Sequence, residues 1–193
     1  SALPRLMGSG SRVFKEYYDN DGDMDVFVCG RQVPGHYPEP TESYLLKNSW
    51  KETGLLRFEK VIVTDLIDLG MVTDASWTDY DQDGDLDLIV VGEWMPVTLL
   101  ESQEGSVKKV TLPNSLLNTT GWWYSIQAAD FDHDGDDDYV IGNLGLNYKY
   151  KANPEEPFTV NYGDFDQNGK NDIVLGYYNY GEHYPFRGRS CSS

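Results

Sequence analysis

Aspartate occupies alternate positions of one nine-residue stretch: Asp79, Asp81, Asp83, Asp85 and Asp87, with Gly84 at the sixth position. Carboxylates this close repel one another unless a cation sits among them. A hard divalent ion serves best, because Ca²⁺ takes about six to eight oxygen ligands in flexible geometry. Gly84 permits the left-handed turn that carries the chain round such an ion. Leu88-Ile89-Val90-Val91-Gly92 follows at once and reads as a buried strand. The unit is a metal loop feeding a strand.

The unit recurs in one register. The first copy spans 17–25, with Tyr17 at position 1, then Asp19, Asp21, Asp23 and Asp25. The third spans 130–138, with Asp130, Asp132, Asp134, Asp136 and Asp138. The fourth spans 164–172, with Asp164, Asp166, Asn168, Lys170 and Asp172. Position 2 is always aromatic (Tyr18, Tyr80, Phe131, Phe165), and position 6 is always Gly. A solvated acidic turn is the plain alternative for one such loop. Four copies count against it.

An EF-hand would need a bidentate Glu at position 12. That position holds Val28, Val90, Ile141 and Leu175, so the loop closes at position 9 instead. Position 7 holds Lys170 in the fourth copy, and a lysine side chain cannot ligate Ca²⁺. Position 7 is therefore expected to offer its backbone carbonyl. Tyr17 removes a ligand from the first loop, and Asn168 with Lys170 weakens the fourth.

The 193 residues are 39% hydrophobic, enough to bury a core. The net charge of −17 argues against nucleic acid and anionic membrane as partners. More than half of the acidic residues lie in the four loops. No apolar run approaches the roughly 18–20 residues of a membrane span. Cys29 reads as a buried small hydrophobe, and Cys191 as free to pair elsewhere.

The elements that must hold the loops are short strands. The loops begin at 17, 79, 130 and 164, and about four strands fit between the second and the third. Strands are expected over 11–17, 43–48, 57–63, 97–101, 107–112, 122–129 and 158–162, besides the apolar runs after each loop. Residues 93–96 read as a turn, 65–71 as a short helical turn, and 31–40 as a Pro-rich connector. Repeats of about 40–50 residues with four strands each are the mark of propeller blades. The predicted class is all-β: four-stranded antiparallel blades with Ca²⁺-binding loops.

Asp-x-Asp-x-Asp-Gly-x-x-Asp followed by an apolar strand and Gly resembles the FG-GAP/VCBS repeat of integrin-like β-propellers. Gly30-Arg31, Val33-Pro34-Gly35, Leu69-Gly70-Met71-Val72-Thr73-Asp74-Ala75 and Gly92-Glu93-Trp94-Met95-Pro96 are similar to the cartilage acidic protein / ASPIC-UnbV group. So are Gly121-Trp122-Trp123, Gly142-Asn143-Leu144-Gly145-Leu146-Asn147 and Pro154-Glu155-Glu156-Pro157. The resemblance implies a ligand set of Asp79, Asp81, Asp83, the Asp85 carbonyl and Asp87. It implies the same for Asp19, Asp21, Asp23 and Asp25, for Asp130, Asp132, Asp134, Asp136 and Asp138, and for Asp164, Asp166, Asn168, Lys170 and Asp172. It implies that 1–193 is a partial propeller of three to four blades, part of a longer, seven-bladed chain.

The resemblance further implies an extracellular or cell-surface setting, outer-membrane-associated in a bacterium, and no catalytic activity. The expected role is a non-catalytic scaffold or adhesion surface for a protein or a glycan. The alternative is a propeller-type polysaccharide lyase or carbohydrate-binding subunit. Trp94, Trp122, Trp123 and Tyr124 would then stack on sugar, and His183, Tyr184 and Arg187 would form the best catalytic cluster.

Overall fold

The computed structural model describes residues 2–103, 105–112, 118–145 and 148–186. All sheet pairing in it is antiparallel. The first sheet is a meander of β1 (Ser9–Glu16), β2 (Asp25–Gln32), β3 (Tyr44–Asn48) and β4 (Phe58–Val61). A single helical turn, α1 (Trp50–Thr53), joins β3 to β4 and ends at Gly54 in the left-handed region. The expected helical turn near 65–71 is a 3₁₀ turn over Thr64–Leu66.

The second sheet holds β5 (Met71–Thr78), β6 (Asp87–Met95), β7 (Thr98–Gln103) and β8 (Ser106–Lys109). The hairpin of β9 (Gly121–Ala129) and β10 (Asp138–Asn143) joins the same sheet at the end of β6. A third sheet holds β11 (Thr159–Gly163), β12 (Asp172–Asn179) and β13 (Glu182–Pro185). Two four-stranded meanders are thus present, while the third and fourth repeats show two and three strands among the described residues. The described strands close no ring or barrel.

Strand β6 explains its own sequence. Leu88 and Val90 face the larger core with Tyr18, Phe27, Leu45, Val72 and Leu100. Ile89 and Val91 face the other way, against Leu99 and Ile126. Side chains alternate across a strand, so a strand covered on both faces reads as an unbroken apolar run. The turn expected at 93–96 is a correction: β6 continues through Met95. An irregular step there pairs Glu93 with Trp122 and Met95 with Gly121, and Trp94 takes a φ of 60°. No helix of the described residues is long and apolar enough to cross a membrane.

Candidate metal centre

Each acidic loop is the turn of a hairpin. The four connect β1 to β2, β5 to β6, β9 to β10 and β11 to β12. All four share a backbone. Position 6 is left-handed, with φ of 85° at Gly22, 95° at Gly84, 101° at Gly135 and 83° at Gly169. Position 4 is left-handed too, at Asn20, Gln82, His133 and Gln167. Side-chain oxygens of positions 3 and 5 then accept from amides two residues on, as Asp81 does from Asp83 and Asp83 from Asp85. These bonds fold the loop inward and aim its carboxylates at one another.

Positions 1, 3 and 9 converge. Asp79, Asp81 and Asp87 bring carboxylate oxygens within 4.8 Å of one another, as do Asp130, Asp132 and Asp138, and Asp164, Asp166 and Asp172. Position 1 also accepts the amide of the loop glycine: Gly84 at 3.1 Å, Gly135 at 3.2 Å and Gly169 at 2.8 Å. Position 9 ties the loop's end to its start by accepting the position 2 amide, at Tyr80, Phe131 and Phe165. Asp83, Asp134 and Asn168 lie outside these converging triads, and so do the side chains of Asp85, Asp136 and Lys170. Asp85 instead accepts from Asn20 Nδ2 at 3.0 Å, which ties the second loop to the first.

In the second loop the donor set fits a hard divalent cation. Asp79 Oδ1 is buried and has no hydrogen-bond partner, while its Oδ2 holds Gly84. A buried carboxylate oxygen left unpaired is costly unless a cation meets it. Asp79, Asp81 and Asp87 would hold the ion, with a position 7 carbonyl beside them. Burial raises the Asp87 carboxyl, while the Ser102 and Tyr80 amides pull it back down. Asp136 is raised chiefly by its hydrogen bond with Asp134.

The first loop is built differently. Tyr17 leaves position 1 without a carboxylate, and the converging set becomes Asp19, Asp21 and Asp25. A second group joins Asp21 and Asp23 to Glu52 of α1. Lys47 Nζ lies 2.6 Å from Asp19 Oδ2 and 2.9 Å from Asp21 Oδ2. The Lys51 amide donates to Asp23 Oδ2 at 2.6 Å, and Lys51 Nζ to the Asp21 carbonyl at 3.1 Å. Burial works to raise Asp21, but the Asp23 amide and the Lys47 ammonium hold it below the ordinary range. Burial pushes Asp25 up to about 7, against the pull of the Asn48 amide. Tyr18 is buried in the core, and its hydroxyl donates to the Gly105 carbonyl at 2.9 Å.

Lys47, Lys51, Asn48 and Ser102 escape a reading confined to the nine-residue loops. The signal available for Lys47 was a lone lysine closing the apolar run of β3. Of the cluster named in the alternative reading, His183 and Tyr184 lie on β13. His183 Nε2 meets Thr159 Oγ1 at 2.9 Å, the Tyr184 hydroxyl bonds Glu182, and Arg187 lies outside the described residues, as does Cys191. Trp94 packs against Trp122 at 4.9 Å and against Phe158 at 6.2 Å.

Residues 79–141 match the FG-GAP-like repeat family. The chain carries an FG-GAP-like repeat. The match begins at Asp79, spans the second and third loops with strands β6 to β9 between them, and ends within β10. No curated protein matches the chain.

Proposed function

We propose that the chain is a calcium-binding, non-catalytic module of a β-propeller, working at the cell surface as a scaffold or adhesion platform. An FG-GAP-like repeat points to a binding or adhesion module of the propeller type. The observation that carries the calcium reading is the unpaired, buried Oδ1 of Asp79 inside that repeat. It faces a shell of carboxylates with no lysine or arginine paired to them among the described residues. The sheets β1–β4 and β5–β8 are the first two blades in this reading. The motifs around Gly30, Gly92, Gly121 and Gly142 support the cartilage acidic protein / ASPIC-UnbV group as the subgroup.

Calcium in this role stabilises and does no chemistry. An ion that binds only the folded chain contributes about 2.7 kcal/mol at a hundred times its Kd. Thermal melting of the chain with millimolar Ca²⁺ and with EDTA tests the reading. The expected result is a higher Tm in Ca²⁺ than in EDTA or in Mg²⁺. Equal melts in all three would overturn it.

A further inference from the structure

We infer that the first loop carries its own cation: the Lys47 ammonium occupies carboxylates that a metal ion would need in that loop. The inference rests on the calcium reading for what the other loops hold. Lys47 Nζ sits between Asp19 Oδ2 and Asp21 Oδ2 at 2.6 and 2.9 Å, hydrogen-bonded to the first and ion-paired with the second, while Asp25 Oδ2 is buried without a hydrogen-bond partner. Ca²⁺ would need the same oxygens at about 2.3–2.6 Å. One point among the carboxylates cannot hold both cations. Lys51 adds a second ammonium on the Asp21 carbonyl. Together the two lysines bring the charge of one divalent ion.

Strand register shows that this is a substitution within a repeat. Val26 follows the position 9 Asp25 and pairs with Leu46; Leu88 follows Asp87 and pairs with Leu100. Two residues on, the amides of Asn48 and Ser102 donate to Asp25 and Asp87, each at 2.7 Å. Lys47 and Glu101 lie between these landmarks and are therefore the same position in two repeats. Where position 1 is Asp79, that position is a glutamate. Where position 1 is Tyr17, it is a lysine. The lost carboxylate and the gained ammonium go together. Among the described residues, no lysine or arginine forms an ion pair with the carboxylates of the other three loops.

The competing arrangement uses Glu52, whose Oε1 lies 3.7 Å from Lys47 Nζ, to replace the oxygen that Tyr17 lacks and complete a metal site. Asp19→Asn and Asp81→Asn separate the two, since they neutralise position 3 of the first and second loops. Two measurements are made on the full chain: Ca²⁺ bound per chain by calorimetric titration, and Tm in EDTA. The expected result is that Asp81→Asn loses one bound ion and Asp19→Asn loses none. In EDTA, Asp19→Asn should lower Tm by several degrees because the lysine loses its partner. Asp81→Asn should leave Tm level or raise it, because uncompensated repulsion is relieved. An ion lost in Asp19→Asn, or a Tm in EDTA that does not fall, overturns the inference. If the unaltered chain binds no Ca²⁺, the calcium reading fails, and the EDTA melts alone decide the role of Lys47.

Discussion

Arg31 at the end of β2 grips the buried carboxylate of Glu93 on β6, with Nε 3.0 Å from Oε1, and so joins the first sheet to the second. Glu93 is 3% exposed in its side chain. Its other oxygen accepts the Tyr37 hydroxyl at 2.9 Å, and Tyr37 in turn accepts Trp94 Nε1. Removing one partner from a fully buried pair costs roughly 3–5 kcal/mol. The Arg31 side chain is 42% exposed, so solvent screening reduces the expected loss to about 2 kcal/mol. Arg31→Met should therefore lower stability by about that amount in urea unfolding. Glu93→Gln keeps the acceptor for Tyr37 and removes the charge, so it should cost less. A smaller loss in Arg31→Met than in Glu93→Gln would contradict this account.

Cys29 should be inert. It is a free thiol buried in the larger core, and burial pushes it up to about 12, with the Asp74 carboxylate adding to the rise. The reactive species is the thiolate, which at pH 8 would be roughly one part in ten thousand. Brief maleimide treatment of the folded chain, followed by peptide mass mapping, should find Cys29 unmodified. Labelling of Cys29 in the folded state at the rate seen in urea would count against its burial.

Much of the site was local and therefore legible. The carboxylates, the loop glycine and the closure at position 9 all lie within nine residues, and periodicity exposes them. Tyr17 also marked the first loop as deficient. What replaced the missing charge was not legible, because Lys47 reaches Asp19 only through the β2–β3 pairing. The same holds for Arg31 and Glu93, which lie in different repeats. The turn expected at 93–96 shows how local rules mislead: Gly92 and Pro96, both turn formers, bracket only three residues, Glu93-Trp94-Met95. The structure keeps it as strand by putting Trp94 at positive φ and pairing Glu93 with Trp122. Position 4 was missed for a related reason, since Asn20, Gln82, His133 and Gln167 share a backbone conformation and no common chemistry.

The glycines that end the first two apolar runs do a different job from the glycine inside the second loop. A Cβ on Gly92 would collide with the Met71 carbonyl oxygen, and one on Gly30 with the Glu42 carbonyl oxygen. Backbone cannot step aside as a flexible side chain can. Gly84 has open space around it, and only its φ of 95° resists a side chain. Gly84→Ala should therefore cost about 1–2 kcal/mol from left-handed strain alone. Gly92→Ala and Gly30→Ala should cost more than that, enough to separate sharply from Gly84→Ala in thermal melts. Equal losses at the three positions would refute the close-approach argument.

The loop geometry ranks the second loop's own carboxylates. Asp79, Asp81 and Asp87 converge, and Asp79 presents the unpaired oxygen. Asp85 points its carboxylate away, to Asn20 of the first loop, and can serve an ion only through its main chain. Ligand charge sets affinity in such loops, and removing a carboxylate that touches the ion removes both charge and a coordinating atom. Asp79→Ala should abolish Ca²⁺ binding at this loop, whereas Asp85→Asn should retain it with at most a few-fold loss. Asp87→Asn is a less clean test, because Asp87 also holds the Ser102 and Tyr80 amides. Calorimetric Ca²⁺ titration of Asp79→Ala and Asp85→Asn checks the ranking, with far-ultraviolet circular dichroism to confirm that each variant is folded. If Asp85→Asn loses the ion and Asp79→Ala keeps it, the loop binds metal through side chains other than the three that converge, and the assignment of position 7 to its carbonyl falls with it.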